Sequence, residues 1–419
     1  MAQTNSDVVA LQLEVVAPLV SEFYEFEDAL VSRFTKMKSM DQSSRDLRIP
    51  IPMYPGGKFR QVDFDGGAMG RGSATVYKVA TLAPIDQAIA VEINDKVGFV
   101  TDSSVKAVAN AVQREVAAAM SEFKNMKDSL LQTAGGGVLS TIATSGVSGT
   151  TITLTSPFYE QLLRYGQEIT VYNSTQTTNR GTATITGIDP VAHTITVNAT
   201  PGGTTDGDKI CLGGLSGASP TSTYGLAYHH NSASTGTWLG LNRATYPGIR
   251  TPIVTASSTL TTAHPQLLLA KLAMQLGQSV LDSGKWFWHM HTSQRVAWAE
   301  LGQLIQEISV NQGGAANGNV DILMQRKLAN KIGGIEVLES IHADRTRIDL
   351  VDGENWIRGT YKETGLHKMG DQTKLPVYDN TGGYSNASIW YISNSEQFAV
   401  KNPRRGGYIA SLTEVSALT

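Results

Sequence analysis

Ligand-type side chains crowd together at only two places in this chain, His229-His230 and His289-x-His291. Residues two apart on a strand share a face, so His289 and His291 have the spacing of a chelating pair. A zinc site would need further ligands, and no carboxylate or third histidine stands at motif spacing. Both pairs therefore read as buried or interface histidines. Asp206-Gly207-Asp208 lacks the ladder of oxygen ligands of a calcium loop and reads as a turn. Ser283-Gly284-Lys285-Trp286 lacks the upstream glycine of a phosphate loop. Gly67-x-x-Gly70-x-Gly72 joins two strands and opens no helix, so it is not a dinucleotide fingerprint. No Gly-x-Ser-x-Gly elbow and no zincin helix is present. Cys211, the single cysteine, lies in the apolar run Lys209-Ile210-Cys211-Leu212, where a buried inert thiol is expected. The residues nominate no catalytic, cofactor-binding or metal-binding side chain and call for no cofactor. They point to a structural protein and not to an enzyme.

Composition narrows the classes further. The 419 residues can hold two or three domains. With 34 Lys+Arg against 37 Asp+Glu the formal net charge is −3, which disfavours duplex nucleic-acid binding as the main task. No apolar run approaches the roughly 18 residues of a membrane span, and the N-terminus lacks a signal-peptide pattern. A soluble protein made in a cytoplasm is expected. Glycine is abundant at 41 residues and charge is low at 17%, a β-rich texture.

The elements follow from periodicity. From about Val8 to Lys38 apolar residues recur at steps near three and four, among them Phe23, Phe26, Leu30, Phe34 and Met37, which predicts a helical arm broken at Pro18. Arg48-Ile49-Pro50-Ile51-Pro52 is extended, because a residue before proline leaves the α region. Next comes a two-stranded ribbon, out along Phe59-Arg60-Gln61-Val62-Asp63-Phe64 and back along Ser73-Ala74-Thr75-Val76-Tyr77-Lys78-Val79. Its tip carries Gly66, Gly67, Met69, Gly70, Arg71 and Gly72. Such ribbons are marginal in water unless a face is covered. No third strand of matching length is near, so the cover is expected to be another copy of the chain. A strand at Ala88-Ile89-Ala90-Val91-Glu92-Ile93 leads to a long helix capped by Asp102 or Ser103. Its stripe is Val105, Val108, Val112, Val116, Met120, Phe123, Met126 and Leu130, and it should end near Gly135. About 30 residues make a rod of roughly 45 Å.

Five short alternating runs between Thr151 and Leu212, separated by turn residues, suggest a small inserted barrel. Beyond it, His264-Pro265 opens a helix through Leu268, Leu272, Leu276 and Val280 to Gly284. A buried strand follows at 285–291, then a helix capped by Thr292 or Ser293. Later strands are expected at Ile335-Glu336-Val337-Leu338, Ser388-Ile389-Trp390-Tyr391-Ile392 and Phe398-Ala399-Val400. The class is α+β.

This order of arm, glycine-tipped ribbon, strand, spine-length helix and mixed domain resembles the major capsid proteins of tailed bacteriophages with the Hong Kong 97 fold. The resemblance covers the chain except the inserted barrel. It implies an N-terminal arm over 1–47, an E-loop ribbon over 48–82 and a peripheral domain with spine helix over 83–148. The inserted all-β barrel takes 149–216, an axial domain 217–354, and 355–419 returns to the peripheral domain. The E-loop would lie on a neighbouring subunit, with inter-subunit contacts from Phe64, Gly66, Gly67, Met69 and Arg71, joined by Phe23 and Phe26 of the arm. Val108, Val112, Val116, Met120 and Phe123 would hold the spine helix. The implied function is a subunit that self-assembles as hexamers and pentamers into an icosahedral head enclosing double-stranded DNA, touched non-specifically on the inner face. It would be assembled in the host cytoplasm and located in the virion. Fewer than about 50 residues precede the ribbon, which makes a separate scaffolding protein a partner, together with portal and decoration proteins; no membrane is involved. Two other readings stand beside it: an encapsulin-like cellular shell, and a β-rich tail or glycan-binding protein.

Overall fold

The computed structural model describes residues 30–37, 47–54, 56–57, 59, 61, 71–95, 111–301, 331–367, 374–378 and 383–414. They divide between two compact units. One comprises Pro84–Asp128 and Thr360–Glu396 with Met1–Ser32; the other comprises Arg33–Ala83, Ser129–Gly359 and Gln397–Thr419.

The first unit is organised on one long strand, Tyr384–Val400, whose last residues pass into the second unit. Residues 387–396 pair antiparallel with Ile85–Asn94, and the short strand Leu375–Tyr378 pairs at Ile389, Ser388 and Tyr384. The two strands expected at 388–392 and 398–400 are thus one. The polar stretch Asn394, Ser395, Glu396 and Gln397 separates the two expected runs. Instead Asn394, Glu396 and Gln397 are buried within the strand, where Lys127 forms an ion pair with Glu396. A buried carboxylate is tolerable in a sheet when a cation meets it.

The helix Ala111–Leu131 supplies Lys127. This described part lies within the expected 103–133, and residues 96–110, including Val108 and the expected cap at Asp102 or Ser103, lie outside the described residues. Phe123, Leu130 and Leu131 are buried, and Val116 and Met120 are half-buried. Of Val112 only the backbone is described. The helix stops before Gly135 because Gln132 and Thr133 turn back, their N–H groups donating to Ser129 and Leu130 carbonyls, and the Thr133 hydroxyl donating to Leu130 O at 2.8 Å.

The second unit holds a closed six-stranded barrel, ordered Lys209–Leu212, Val138–Ser148, Thr151–Thr155, Thr194–Val197, Asn179–Asp189 and Glu168–Tyr172, which pairs back to Lys209–Leu212. The five expected runs are all strands. The sixth, Val138–Ser148, was not expected, and it starts the barrel before residue 149. Its alternation is broken by a bulge between Ile142 and Val147. At that bulge Gly146 sits where a Cβ would lie 2.7 Å from Ala143 O, so the bend requires glycine. Inward side chains Ile142, Ile152, Leu154, Ile169, Val171, Ile185, Ile195 and Ile210 fill the interior.

A six-stranded sheet completes this unit, ordered Ile253–Ser258, Gly406–Leu412, Ile348–Asp352, Trp286–Met290, Ile335–Glu339 and Lys331–Ile332. Both faces of Trp286–Met290 and Ile348–Asp352 are buried. Trp286, Trp288, Met290, Ile348 and Leu350 share a core with Leu268 and Leu272 of the helix Ala263–Leu276. The single helix expected through Val280 is broken: Gly277 takes φ +87°, and a second short helix, Gln278–Ser283, follows. The next helix, from residue 292, is capped one residue earlier than expected. The Ser293 N–H donates to His291 Nδ1 at 3.1 Å, and His291 O accepts from Gln294 N–H.

The arm's helical pattern fails in the residues that are described. Val31–Arg33 forms one 3-10 turn, and Thr35–Met37 is a strand running parallel to residues 357–359. Phe34 is responsible: it stacks on Trp356 with ring centroids 4.5 Å apart, and the chain on either side is drawn against that strand.

Candidate subunit-contact surfaces

A two-stranded ribbon is present in which Leu47–Tyr54 pairs antiparallel with Val76–Leu82; of the expected outgoing run 59–64 only Phe59 and Gln61 are described, and the rest lies outside the described residues. The prolines obscured that pairing. Pro50 faces Val79 and Pro52 faces Tyr77 across the ribbon. Proline is tolerated in a strand whose N–H side would face outward, and there it removes donors from the free edge. Beyond the regular pairing, Gly57 N–H still donates to Ser73 O at 2.7 Å and Gly56 N–H to Thr75 Oγ1 at 3.0 Å.

Register decides which face is finished. Ile51, Ala80 and Leu82 lie on one face and are buried. The Thr81 N–H donates to Leu239 O at 3.2 Å, and Lys78 Nζ lies 6.0 Å from the centre of the Tyr246 ring. This face is covered by the chain's own residues, which corrects the expectation that the ribbon's cover comes entirely from elsewhere. The opposite face carries Pro50, Pro52, Tyr77 and Val79, all exposed, with Tyr77 at 61% and Val79 at 50%. Arg48 and Arg71 are also exposed, as is Phe59. Among the described residues nothing covers this apolar face. An uncovered face of this kind marks a contact surface. Of the residues expected to make contacts, Arg71 is described and exposed, beyond the paired strands; Phe23, Phe26, Phe64, Gly66, Gly67 and Met69 lie outside the described residues. The exposed face residues that sequence reading did not single out are the prolines and Tyr77. The alternation of Pro50 and Pro52 with Ile49 and Ile51 was the available signal.

The histidine pairs resolve into core networks. The Trp238 indole N–H donates to His229 Nδ1 at 3.0 Å, and His229 Nε2–H donates to Phe398 O at 3.1 Å. Complete burial pushes the His229 imidazolium down to about 3, so the ring is held neutral. His230 Nδ1–H donates to Asp349 Oδ1 at 2.9 Å, and Arg347 grips the same carboxylate at 2.7 and 2.8 Å. Burial by itself would raise the Asp349 carboxyl, but Arg347 and His230 hold it well below the usual carboxylate range. A His–Asp pair is half of a nucleophile-activating arrangement. The other half is missing among the described residues: His230 Nε2 faces the Gly406 backbone, where even a Cβ would lie 2.4 Å away.

His289 and His291 part company. His289 Nε2–H donates to Gln132 Oε1 at 2.9 Å, while His291 turns to Ser293 at the helix cap. Burial pushes His291 down to about 4. Cys211 is buried in the barrel wall, and burial pushes its thiol up to about 11. Among the described residues no group of three or more His, Cys, Asp or Glu could hold a metal. None of the described helices is long and apolar enough to cross a membrane.

No protein-family model matches the chain, and no curated protein does. Solved structures do. The cyanophage A-1(L) capsid asymmetric unit aligns with TM-score 0.57 and 13% identity over 98% of this chain and 100% of that chain. The capsid of an empty GTA particle aligns with TM-score 0.50 and 9% identity over 98% of this chain and 100% of that one. The chain has the fold of these capsid subunits, the α+β Hong Kong 97-like architecture that its sequence resembles.

Proposed function

We propose that this chain is the major capsid protein of a tailed bacteriophage, a structural subunit that assembles as hexamers and pentamers into an icosahedral head around double-stranded DNA. The observation that carries the reading is the ribbon's uncovered face of Pro50, Pro52, Tyr77 and Val79 on a chain with a capsid-subunit fold. A monomer gains nothing from presenting that face to water, whereas a shell repeats one such contact at every subunit. Near-neutral charge, −3 over the whole chain, is compatible with close packing of many copies.

In this reading residues 1–47 are the arm, 48–82 the E-loop and 83–137 with 360–396 the peripheral domain. Residues 217–359 with 397–419 are the axial domain, because Gly406–Leu412 shares a sheet with Ile253–Ser258 and Ile348–Asp352 rather than returning to the peripheral domain as expected. The barrel is an insertion, with Val138–Ser148 added to the expected 149–216. Its loop between Thr155 and Glu168 is tied to the host: Gln161 Nε2–H donates to Ala343 O at 2.8 Å, and Arg345 Nε–H donates to Gln161 Oε1 at 3.1 Å. The subunit does no chemistry of its own; a separate scaffolding protein is its partner during assembly, and portal and decoration proteins are its partners in the virion.

The test is assembly. Purified chain, with and without a deletion of residues 65–71, is examined by negative-stain imaging, sedimentation and circular dichroism. Shells, tubes or capsomer sheets are expected from the complete chain, and a folded protein that forms none of them from the deletion. A chain that stays monomeric at every concentration and salt, or a deletion that forms normal shells, overturns the reading. Nucleic acid inside shells made during infection separates a phage head from a cellular compartment loaded with protein.

A further inference from the structure

The ribbon is held down on its own chain by a turn whose first residue suits the turn's shape badly. Thr237–Trp238 and Leu241–Asn242 form a two-stranded hairpin, with Trp238 opposite Leu241 and only Leu239 and Gly240 between them. Both take positive φ, +46° and +84°. That is the pattern of a type I′ turn, whose first central position favours asparagine, aspartate or glycine. Leucine there crowds its Cβ against the backbone in a region that L residues avoid. Strain of this kind persists only where the surroundings impose it.

The surroundings do impose it. The hairpin stem is fixed, because the Trp238 indole donates to His229 and the Arg243 guanidinium donates to the Thr237 and Tyr228 carbonyls, both at 3.1 Å. The tip then makes two bonds in different directions from one residue. The Leu239 N–H donates to the Tyr228 hydroxyl at 2.9 Å, and the Leu239 carbonyl accepts the Thr81 N–H of the ribbon at 3.2 Å. The Leu239 side chain is buried as well. Burial pushes the Tyr228 phenol up to about 12, so it stays a neutral hydroxyl near neutral pH. If Leu239 turned out of positive φ, its N–H and its carbonyl would swing away together. Both bonds would break in one step, and the base of the ribbon would lose its hold.

We propose that Leu239 is a latch for the ribbon: a strained turn that opens locally, short of unfolding, and releases the ribbon from its seat on the chain. Closed, it leaves Tyr77 and Val79 outward with Ile51, Ala80 and Leu82 covered. Open, it uncovers apolar side chains on both faces. The closed ribbon is the form on which a neighbouring copy docks, and docking shifts the latch toward closed. This last step rests on the ribbon being an inter-subunit contact; the latch itself does not.

Hydrogen exchange on the full-length chain, followed residue by residue, tests it. In the unassembled subunit the Leu239 and Thr81 amides should show equal protection, at least tenfold less than the amides of the barrel strands. Tyr228→Phe removes the hydroxyl that accepts from Leu239. It should speed both amides by the same factor, at least tenfold, and leave the barrel amides as they were. If that variant does not fold, Gly240→Ala replaces it, since alanine at +84° also disfavours the closed turn. Ile152→Ala weakens the barrel without touching the turn, and it should leave the Leu239 and Thr81 rates unchanged. In shells both amides should exchange at least tenfold more slowly than in the free subunit, and Tyr228→Phe should raise the concentration needed for shells. Unequal protection of Leu239 and Thr81, protection equal to the barrel's, or indifference to Tyr228→Phe overturns the latch. Shells that form with neither amide slowed overturn its coupling to docking, while the ribbon stands as a contact. A chain that forms no shells at all fails the assembly reading, and the subunit measurements then decide the latch alone.

Discussion

The barrel and the ribbon are both antiparallel β structure, yet one is finished within the chain and the other is not. In the barrel the strand Lys209–Leu212 pairs on both sides, with Val138–Ser148 and with Glu168–Tyr172, and closure leaves no edge. Alternate apolar residues such as Ile152, Leu154, Ile169, Val171, Ile185 and Ile195 fill its interior. The ribbon has two strands, one face laid on its own chain and one face of prolines, tyrosine and valine open to water. Alternation serves opposite ends in the two places. In the barrel it sorts apolar from polar side chains; in the ribbon it sorts apolar side chains into an inner set and an outer set. A closed structure contributes stability to the single chain, and in the proposed assembly the open face would contribute specificity between chains.

That contrast breaks most sharply under a buried charge. Ile195→Asp places a carboxylate inside the barrel, where an unpaired charge costs several kcal/mol, on the order of 5. Soluble expression and the circular dichroism melt should both be lost. Tyr77→Asp, at an exposed position, should leave the melt unchanged while shells disappear from sedimentation profiles. If Tyr77→Asp unfolds the protein, the outer ribbon face is core after all.

Truncations make the comparison quantitative. Ile152→Ala should cost about 2–5 kcal/mol of subunit stability, the usual range for a buried aliphatic cut to alanine. The double change Tyr77→Ala and Val79→Ala should shift denaturant midpoints by less than the equivalent of about 0.5 kcal/mol. Its effect should appear as a raised concentration threshold for assembly. Equal losses of stability in the two variants would erase the distinction drawn here.

Acid should weaken the regions complete within one chain. His229 and His291 ionise near 3 and 4 in the folded protein, against 6.5 when free. In the unfolded chain they take up protons that the folded chain refuses. Their contribution is complete above about pH 6.5 and is lost as pH falls from there toward 4. Between pH 7 and 5 each should remove up to about 2 kcal/mol. Asp349, held low by Arg347 and His230, adds a further loss only below the usual carboxylate range. Melts of unassembled subunit across that range should show the slope, and His291→Gln should flatten it. Within the buried network, Trp238→Phe removes the N–H bonded to His229 Nδ1 and should cost about 1–2 kcal/mol, read from the denaturant midpoint.

Much of this was written in local pattern. The runs around Ile152, Ile169, Ile185, Ile195 and Ile210 alternate so strictly that a barrel of short strands follows from period two alone. The apolar stripe through Phe123 and Leu130 announced the helix, and the absence of metal or nucleophile spacing around His289 and His291 argued against chemistry there. The ribbon and its return strand were legible, but the pairing of Leu47–Tyr54 with Val76–Leu82 was not. A rule that places prolines outside sheets is a statement about donors, and it fails where the donors would have faced outward. Gly146 hid the sixth barrel strand in the same way, by interrupting an alternation that the bulge then resumes.

What the sequence determined by itself is therefore whatever depends on neighbours a few residues away: strand and helix periodicity and the glycine turns. What only the tertiary structure decided depends on partners far along the chain. Phe34 left its helical pattern because Trp356 waits for it, and Glu396 stayed in a strand because Lys127 neutralises it. His230 became part of a core network because Arg347 and Asp349 meet it on an adjoining strand. The same holds for the ribbon's faces: Ile51 and Tyr77 are apolar in equal measure, and only the segment from Leu239 to Tyr246, folded beneath one of them, determines which is left for another molecule. Burial is a property of the whole packing, and no local rule carries it.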